Sequence, residues 1–269
     1  MKIAVHNLLS CGGCDPVFFL EESPEFFRQA EVIFWNKVKD ETLKVFRKIP
    51  DQGIEIGFLC GAVKSPEHEE VVRLFRRKCR TVVAVGACAL WGGIPGLLWI
   101  RKEGPRPLSS LVVPDLSIPG CPPEGSTWTV YLQGLLSGRP PGPSEEPVCQ
   151  ECPRDRHPFR LSDFKRFPET EPESRGCYLS LGVFCAGAVT QKGCGARCLR
   201  AGYPCLGCYG PPAGLTARGE RLLSAMVSAL VPQKATEALK NWRDPAGSLY
   251  RFDLATHPLV RKGKCGRSD

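Results

Sequence analysis

The chain has 269 residues, 42% of them hydrophobic, with 36 Lys and Arg against 28 Asp and Glu for a formal charge of +8. That length supports a sizeable core without disulfide staples, and no apolar run approaches the ~18 residues of a membrane-spanning helix, so a small cystine scaffold and a direct membrane span are both excluded. The positive charge raises nucleic acid as a partner, but neither a helix-turn-helix nor a basic-aromatic RNA pattern accompanies it, and no nucleic acid is expected.

In chain order, KIAVHNL from Lys2, AEVIFW from Ala30, GIEIGFL from Gly53 and TVVAVG from Thr81 are short β-branched runs bounded by polar residues or glycine, the pattern of strands. Between the last two, SPEHEEVVRLFRRKC predicts a helix: Ser65 caps it, Pro66 suits its first turn, three glutamates complement its dipole, and Val71, Val72, Leu74 and Phe75 form an apolar face. Strand and helix in alternation imply an α/β fold with a parallel sheet covered on both sides. Glu124 is placed to cap a further helix starting near Ser126. The Pro-, Gly- and Ser-rich stretch LLSGRPPGPSEEPV then separates a first domain, 1–137, from a cysteine-dense one, 149–269, with 138–148 as linker. The second domain reads as loops plus one amphipathic helix from about Thr216 to Val231. So thin a hydrophobic pattern predicts little core of its own, leaving bound metal to supply much of the folding free energy.

The cysteines number fifteen, and MKIAVHNLLSCGGC lacks a basic segment followed by an apolar one, so the expectation is a cytoplasmic chain with reduced thiols. Clustered cysteines then mean metal or redox chemistry. Cys11 and Cys14 follow the first strand, Cys60 ends the third, Cys88 follows TVVAVGA, and Cys121 follows the apolar run LSIPG. In an open parallel sheet these places share the carboxyl edge, where such folds bind ligands, and the five thiols should converge. Gly12, Gly13, Gly92, Gly93 and Gly120 leave room for backbone to approach an inorganic core and aim N–H groups at its sulfurs. Cys79 and Cys265 stand apart and read as structural thiols, small hydrophobes rather than ligands.

In the second half, Cys149, Cys152, Cys177, Cys185, Cys194, Cys198, Cys205 and Cys208 make two sets of four. A zinc ribbon built on the two C-x-x-C pairs would leave four of them without a role, whereas pairs followed by wider gaps suit two cubane clusters. Spacing alone leaves zinc and iron–sulfur both open, since tetrahedral all-thiolate sites suit either. If all twelve candidate ligands were thiolates on three cubanes, at roughly two negative charges per cluster, the net charge would fall to about +2, and the basicity is then compensation.

The motifs CGGC, VGACALWGGIPG, IPGCPPEG, CQEC and CAGAVTQKGCGARCLRAGYPCLGCYGP, in this order, resemble the small subunit of nickel–iron hydrogenases of the cytosolic group 3 type, which includes sulfhydrogenases and the coenzyme-reducing and non-reducing hydrogenases of methanogens. The resemblance runs from Lys2 to about Pro212. It implies a flavodoxin-like doubly wound sheet followed by a small, loop-rich, ferredoxin-like iron–sulfur domain. It implies three 4Fe-4S clusters: a proximal one on Cys11, Cys14, Cys88 and Cys121; a distal one on Cys149, Cys152, Cys177 and Cys185; and a medial one on Cys194, Cys198, Cys205 and Cys208. The catalytic nickel–iron centre would lie in a partner large subunit, and electrons would pass to an acceptor subunit or a ferredoxin-like protein. In this family a carboxylate commonly precedes the GA or GS of the loop after the third strand; here FLCGAV puts Cys60 there, beside the proximal cluster.

Among other residues, His157 reads as a surface or cluster-adjacent histidine, His6, His68 and His257 as ordinary ones, and Trp91 as a core aromatic. WGGIPG lacks the glycine spacing of a dinucleotide fingerprint, no Walker motif occurs, and no Ser/His/Asp arrangement is present, so the chain reads as an electron relay without a catalytic centre of its own. The competing readings are a zinc-organised adaptor and an electron-transfer subunit of a related quinone-reducing complex.

Overall fold

A computed structural model describes residues 1–20, 23–38, 42–101, 103–165, 167–169, 175–242, 244–258 and 260. Cys265 lies outside the described residues. Contacts divide the chain into two units, one formed by Met1–Gly142 together with the segment that begins at Phe252, the other by Pro143–Arg251.

The first unit is built on five strands, β1 (Lys2–Asn7), β2 (Glu31–Trp35), β3 (Ile54–Cys60), β4 (Cys79–Val85) and β5 (Leu116–Ile118). All neighbours pair in parallel, in the order β2-β1-β3-β4-β5, which is the doubly wound order of flavodoxin-like sheets. The order reverses between β1 and β3, and the chain leaves β1 towards Cys11 and Cys14 while β3 ends on Cys60.

Successive side chains on a strand point to opposite faces, and the core divides accordingly. Ile3, Val5, Phe58, Cys60, Val83 and Val85 join Phe18, Phe26, Trp128 and Tyr131 on one face; Ala4, Leu59, Val82 and Ala84 join Phe46, Val71, Val72 and Phe75 on the other. Phe18 meets Phe58 and Trp128 edge-on at 5.5 and 4.9 Å between centroids. The Trp128 indole N–H donates to Ser23 Oγ at 2.9 Å, so this large side chain is buried without an unpaired donor.

The helices of this unit are α1 (Ser23–Arg28), α2 (Leu43–Lys48), α3 (Pro66–Lys78), α4 (Gly86–Trp91) and α5 (Gly125–Ser137). In α3, Ser65 accepts from the His68 N–H and Arg76, Arg77 and Lys78 occupy the last turn, as the sequence pattern requires. Glu124 caps α5 by accepting the Ser126 N–H at 2.8 Å. The segment after Arg251 belongs to this unit: the Gly93 N–H donates to the Phe252 carbonyl at 3.1 Å.

The second unit contains α6 (Arg197–Arg200), α7 (Arg218–Ala229), α8 (Ala235–Asn241) and α9 (Pro245–Tyr250). Strand pairing among its described residues is limited to isolated bridges such as Leu161 with Leu230 and Lys165 with Val183. The expectation that this half has little core is corrected here. Leu161, Val189, Leu222, Met226, Leu230 and Leu249 pack as one buried cluster, and Val148, Tyr178, Val183, Cys185, Leu199 and Cys205 as another. Apart from α7, these residues arrive singly from loops, single turns and the short helices α6 and α9, which leaves no periodic signal in the sequence. The second cluster counts cysteines among its own members.

Candidate functional site

In the first unit the chain turns immediately after β1, with Gly12 at φ +81 and the Asp15 N–H returned to the Gly12 carbonyl at 3.0 Å. This turn presents Cys11 exposed and Cys14 half-buried. Cys88 sits in the first turn of α4, directly beyond β4, and Cys121 just beyond β5. The thiols sense one another. Burial pushes Cys14 up to about 12, reinforced by the charges of Cys121, Cys88 and Cys11, and burial followed by Cys121 and Cys11 pushes Cys88 up to about 12. Cys121 is raised by burial and then by Cys11. The four candidate ligands from three strand ends therefore form one mutually repelling group at the carboxyl edge.

Cys60 joins them. It is fully buried, and its thiol is held well above its usual range first by burial and then by Cys14, Asp15 and Cys88. Asp15 is itself tied down by the Asn7 amide, which donates to Oδ1, and by Lys37 Nζ at 2.6 Å from Oδ2. Cys79 begins β4, at the end of that strand away from Cys88, with its sulfur against Gly57, where a Cβ would lie 2.5 Å from Sγ, and in the same buried cluster as Phe75. That is a packing position.

Glycine makes this edge possible at two points. A Cβ on Gly86 (φ +83) would lie 2.6 Å from Cys14 Sγ, and one on Gly93 (φ +61) would lie 2.5 Å from Cys88 Sγ. Backbone thus runs directly against two of the sulfurs, and the Gly13 N–H points at a third, 3.4 Å from Cys11 Sγ. Gly92 caps α4 in the left-handed region and faces Ala255 rather than a thiol. Sequence reading missed Gly86; its place two residues before Cys88 was the available signal.

In the second unit, Cys149, Cys152, Cys177 and Cys185 line one small cavity together with Arg154, Arg156 and Tyr178. Gly187 lies between two of these sulfurs, its Cβ position 3.5 Å from Cys149 Sγ and 3.6 Å from Cys185 Sγ. Cys185 accepts the Cys205 N–H at 3.3 Å and also the Gly187 N–H. Burial, then the charges of Cys177 and Cys152, raises Cys149 to about 11. Arg154 lies 4.0 Å over the Tyr178 ring, closing one side with a cation.

The other four cysteines form a second group. Burial, then Cys208 and Cys194, raises Cys205 to about 12, opposed by the Gly207 N–H, which donates to its sulfur. Cys194, raised by burial, accepts from the N–H groups of Ala196 and Arg197 and feels Cys198. Cys185 and Cys205 also couple to each other, linking the two groups. His157 is exposed and lies with Pro158, Arg160 and Ser228, not with any cysteine group.

Thiols so strongly biased towards protonation are poor nucleophiles at neutral pH. They become thiolates only if a bound cation compensates them, which is what metal ligation supplies. Backbone N–H groups aimed at sulfur stabilise that charge further. Among the described residues, no three His, Cys, Asp or Glu side chains close around a point that would hold a single metal ion. The donor sets, all sulfur and flanked by glycine and N–H groups, fit an iron–sulfur core.

Residues 11–135 match the family described as NADH ubiquinone oxidoreductase, 20 Kd subunit. Over nearly its full length the chain is similar to the iron-sulfur subunit of the F420-non-reducing hydrogenase of Archaeoglobus profundus, 28% identical with 97% of this chain and 98% of that protein covered. The corresponding F420-non-reducing hydrogenase subunit of Methanothermus fervidus is 34% identical over 39% of this chain and 89% of its own length. The delta subunit of sulfhydrogenase 2 of Pyrococcus furiosus is 27% identical, covering 78% of this chain and 86% of its own.

Proposed function

We infer, from the premise that this chain belongs to the iron–sulfur small subunits of group 3 nickel–iron hydrogenases, that it relays electrons between the nickel–iron centre of a partner large subunit and an acceptor through three 4Fe-4S clusters. The single observation that carries the reading is the gathering of twelve cysteines into one mutually coupled group in the first unit and two in the second. Bound there, each cubane supplies a one-electron redox step with little movement of its ligands.

The residues divide that work. Cys11, Cys14, Cys88 and Cys121 hold the cluster nearest the large subunit, with Gly86 and Gly93 letting backbone close on the sulfurs. Cys60, buried and coupled to Cys14 and Cys88, packs beside it as a fifth thiol. Cys149, Cys152, Cys177 and Cys185 hold the distal cluster, which Arg154 and Tyr178 shield from water. Cys194, Cys198, Cys205 and Cys208 hold the medial one, their charge moderated by the N–H groups of Ala196, Arg197 and Gly207. The chain itself carries no catalytic residue, and the second unit serves as a two-cluster domain. The working compartment is the cytoplasm, and among the described residues no helix is long and apolar enough to cross a membrane.

Isolation of the native complex tests the reading. It should bring down a nickel-containing large subunit that covers the sheet edge bearing Cys11 and Cys121, and the purified chain alone should show no hydrogen uptake. Recovery of the chain in a nickel-free complex would refute it.

A further inference from the structure

Two segments of chain meet beside the group formed by Cys149, Cys152, Cys177 and Cys185. The Asp155 N–H donates to the Arg175 carbonyl at 3.0 Å and the Cys177 N–H to the Asp155 carbonyl at 2.8 Å, pairing Asp155 with Gly176 in a parallel bridge. Side chains alternate across such a pair. Arg154, Arg156 and Cys177 accordingly line the cavity while Asp155 does not, and Arg175 falls on the arginine side. The Arg156 charge reaches the ligands: Cys149, raised by burial and then by Cys177 and Cys152, is eased back by it. Leu199 lines the same cavity, and the next residue, Arg200, donates through Nη2 to the Glu151 carbonyl at 3.3 Å, inside the Cys149-x-x-Cys152 turn.

These cations are not neutralised. Arg156, Arg175 and Arg200 are exposed, and among the described residues no carboxylate pairs with any of them. The first unit treats its arginines differently: Arg28, Arg47, Arg73, Arg76, Arg77 and Arg106 each hold an Asp or Glu. Of the carboxylates beside the cavity, Glu151 accepts the Gly193 N–H and Asp155 stays out of the lining. Nor is the face apolar. Tyr203, Leu206 and Leu239, the exposed large hydrophobic residues among the described ones of this unit, lie outside the lining. A permanent interface buries apolar surface, whereas exposed charge of one sign serves encounter with a transient partner of the other sign.

We propose that this arginine face is the docking surface for a soluble, exchanging electron-carrier protein whose redox centre is ringed by carboxylates. One electron leaves the reduced cluster on Cys149, Cys152, Cys177 and Cys185, which returns to its oxidised state, and enters the one-electron centre of the carrier. No bond changes and no proton moves, and hydrogen oxidised in the large subunit supplies the electron. Arginine suits the task, because its guanidinium binds a carboxylate through two hydrogen bonds at once and stays charged at any working pH. The inference rests on the relay reading above and adds to it which face releases the electron and what charge the acceptor bears.

The test follows electron transfer from hydrogen by the intact complex, with an acidic plant-type ferredoxin as the probe and methyl viologen, a small cation, as the reference acceptor. For the wild type, kcat/KM towards ferredoxin should fall at least about tenfold between ~10 mM and ~1 M salt, where the Debye length shrinks from about 30 to 3 Å. Arg156→Glu and Arg175→Glu should each lower kcat/KM at low salt by about threefold or more, and together by at least about tenfold, mainly through KM and with the deficit closing at high salt. Arg156→Lys, and Lys234→Glu outside the cavity lining, should stay within about twofold of the wild type. A double variant within about twofold of the wild type, or a deficit equal at both salt levels, would overturn the proposal. So would a wild-type complex that reduces methyl viologen but not ferredoxin, the outcome expected if a permanently bound subunit covers this face. Should Arg156→Glu lose iron, Arg175→Glu decides, since Arg175 lies outside the lining. A complex that oxidises hydrogen with neither acceptor would instead defeat the relay reading itself, so the two failures are distinguishable.

Discussion

Replacing Gly86 with alanine perturbs the first-unit thiol group at a point where no ligand is touched. The new Cβ would stand 2.6 Å from Cys14 Sγ, whereas ordinary contact begins at 3.4 Å, so the sulfur must retreat by at least 0.8 Å or the β4–α4 junction must open. Metal–ligand distances tolerate about 0.2 Å, several times less than that. The backbone at φ +83 adds about 1–2 kcal/mol of left-handed strain for a non-glycine residue. Gly138, at φ +72 with nothing within 4 Å of its Cβ position, separates the two effects, because Gly138→Ala carries the backbone strain alone. Iron and acid-labile sulfide assayed on anaerobically purified complexes should show Gly86→Ala losing about four iron per chain, the content of one cubane, with Gly138→Ala complete. Full iron in Gly86→Ala would refute the claim that this backbone closes on the Cys14 sulfur.

His6 is stacked on Phe34 and edge-on to Phe75, and burial, then the His68 and Lys37 charges, lowers it to about 4 from 6.5. Its neutral form is favoured in the fold, so the stability it contributes is present above pH 6.5 and is lost as pH falls from there towards 4; between pH 7 and 5 the wild type should lose about 2 kcal/mol more than His6→Phe, and equal losses in denaturant titrations would contradict this. Cys79→Ala should cost about 1 kcal/mol of packing and leave iron unchanged, since its sulfur lies against Gly57 in the buried cluster at the far end of β4; loss of iron would move Cys79 into a ligand set. Cys60→Ala should likewise keep its iron but alter the resonance signal of the first-unit cluster, and an unaltered signal would separate that thiol from the site. Glu151, between Cys149 and Cys152, accepts the Gly193 N–H at 3.1 Å and its charge raises Cys194, so Glu151→Gln should raise the midpoint potential of the cluster on Cys194, and an unchanged or lowered potential would contradict it.

Much of the first unit was legible because its strands are short β-branched runs between glycine or polar stops, and α3 carries its own cap, dipole charges and apolar face. The strand order was implied only through resemblance, since no local pattern says that β1 lies between β2 and β3. The cysteines at the carboxyl edge could be placed from strand ends alone, because a parallel sheet sends every strand towards the same edge. The core of the second unit was not legible: Leu161 arrives from a loop, Val189 from a single turn and Leu249 from the six-residue α9, one at a time, so neither period 2 nor period 3.6 marks them. Nor was the return of the chain at Phe252 to Gly93, a contact of backbone with backbone in which side-chain pattern has no part. The burial of Arg218 left no mark in the sequence, because the Gly207 and Leu249 carbonyls it donates to lie eleven and thirty-one residues away along the chain.

Metal and sulfide analysis of the anaerobically isolated complex tests the central claim most directly. About twelve iron and twelve acid-labile sulfide attributable to this chain, in brown protein, are the predicted result for three cubanes. Colourless protein with zinc and no sulfide would contradict it.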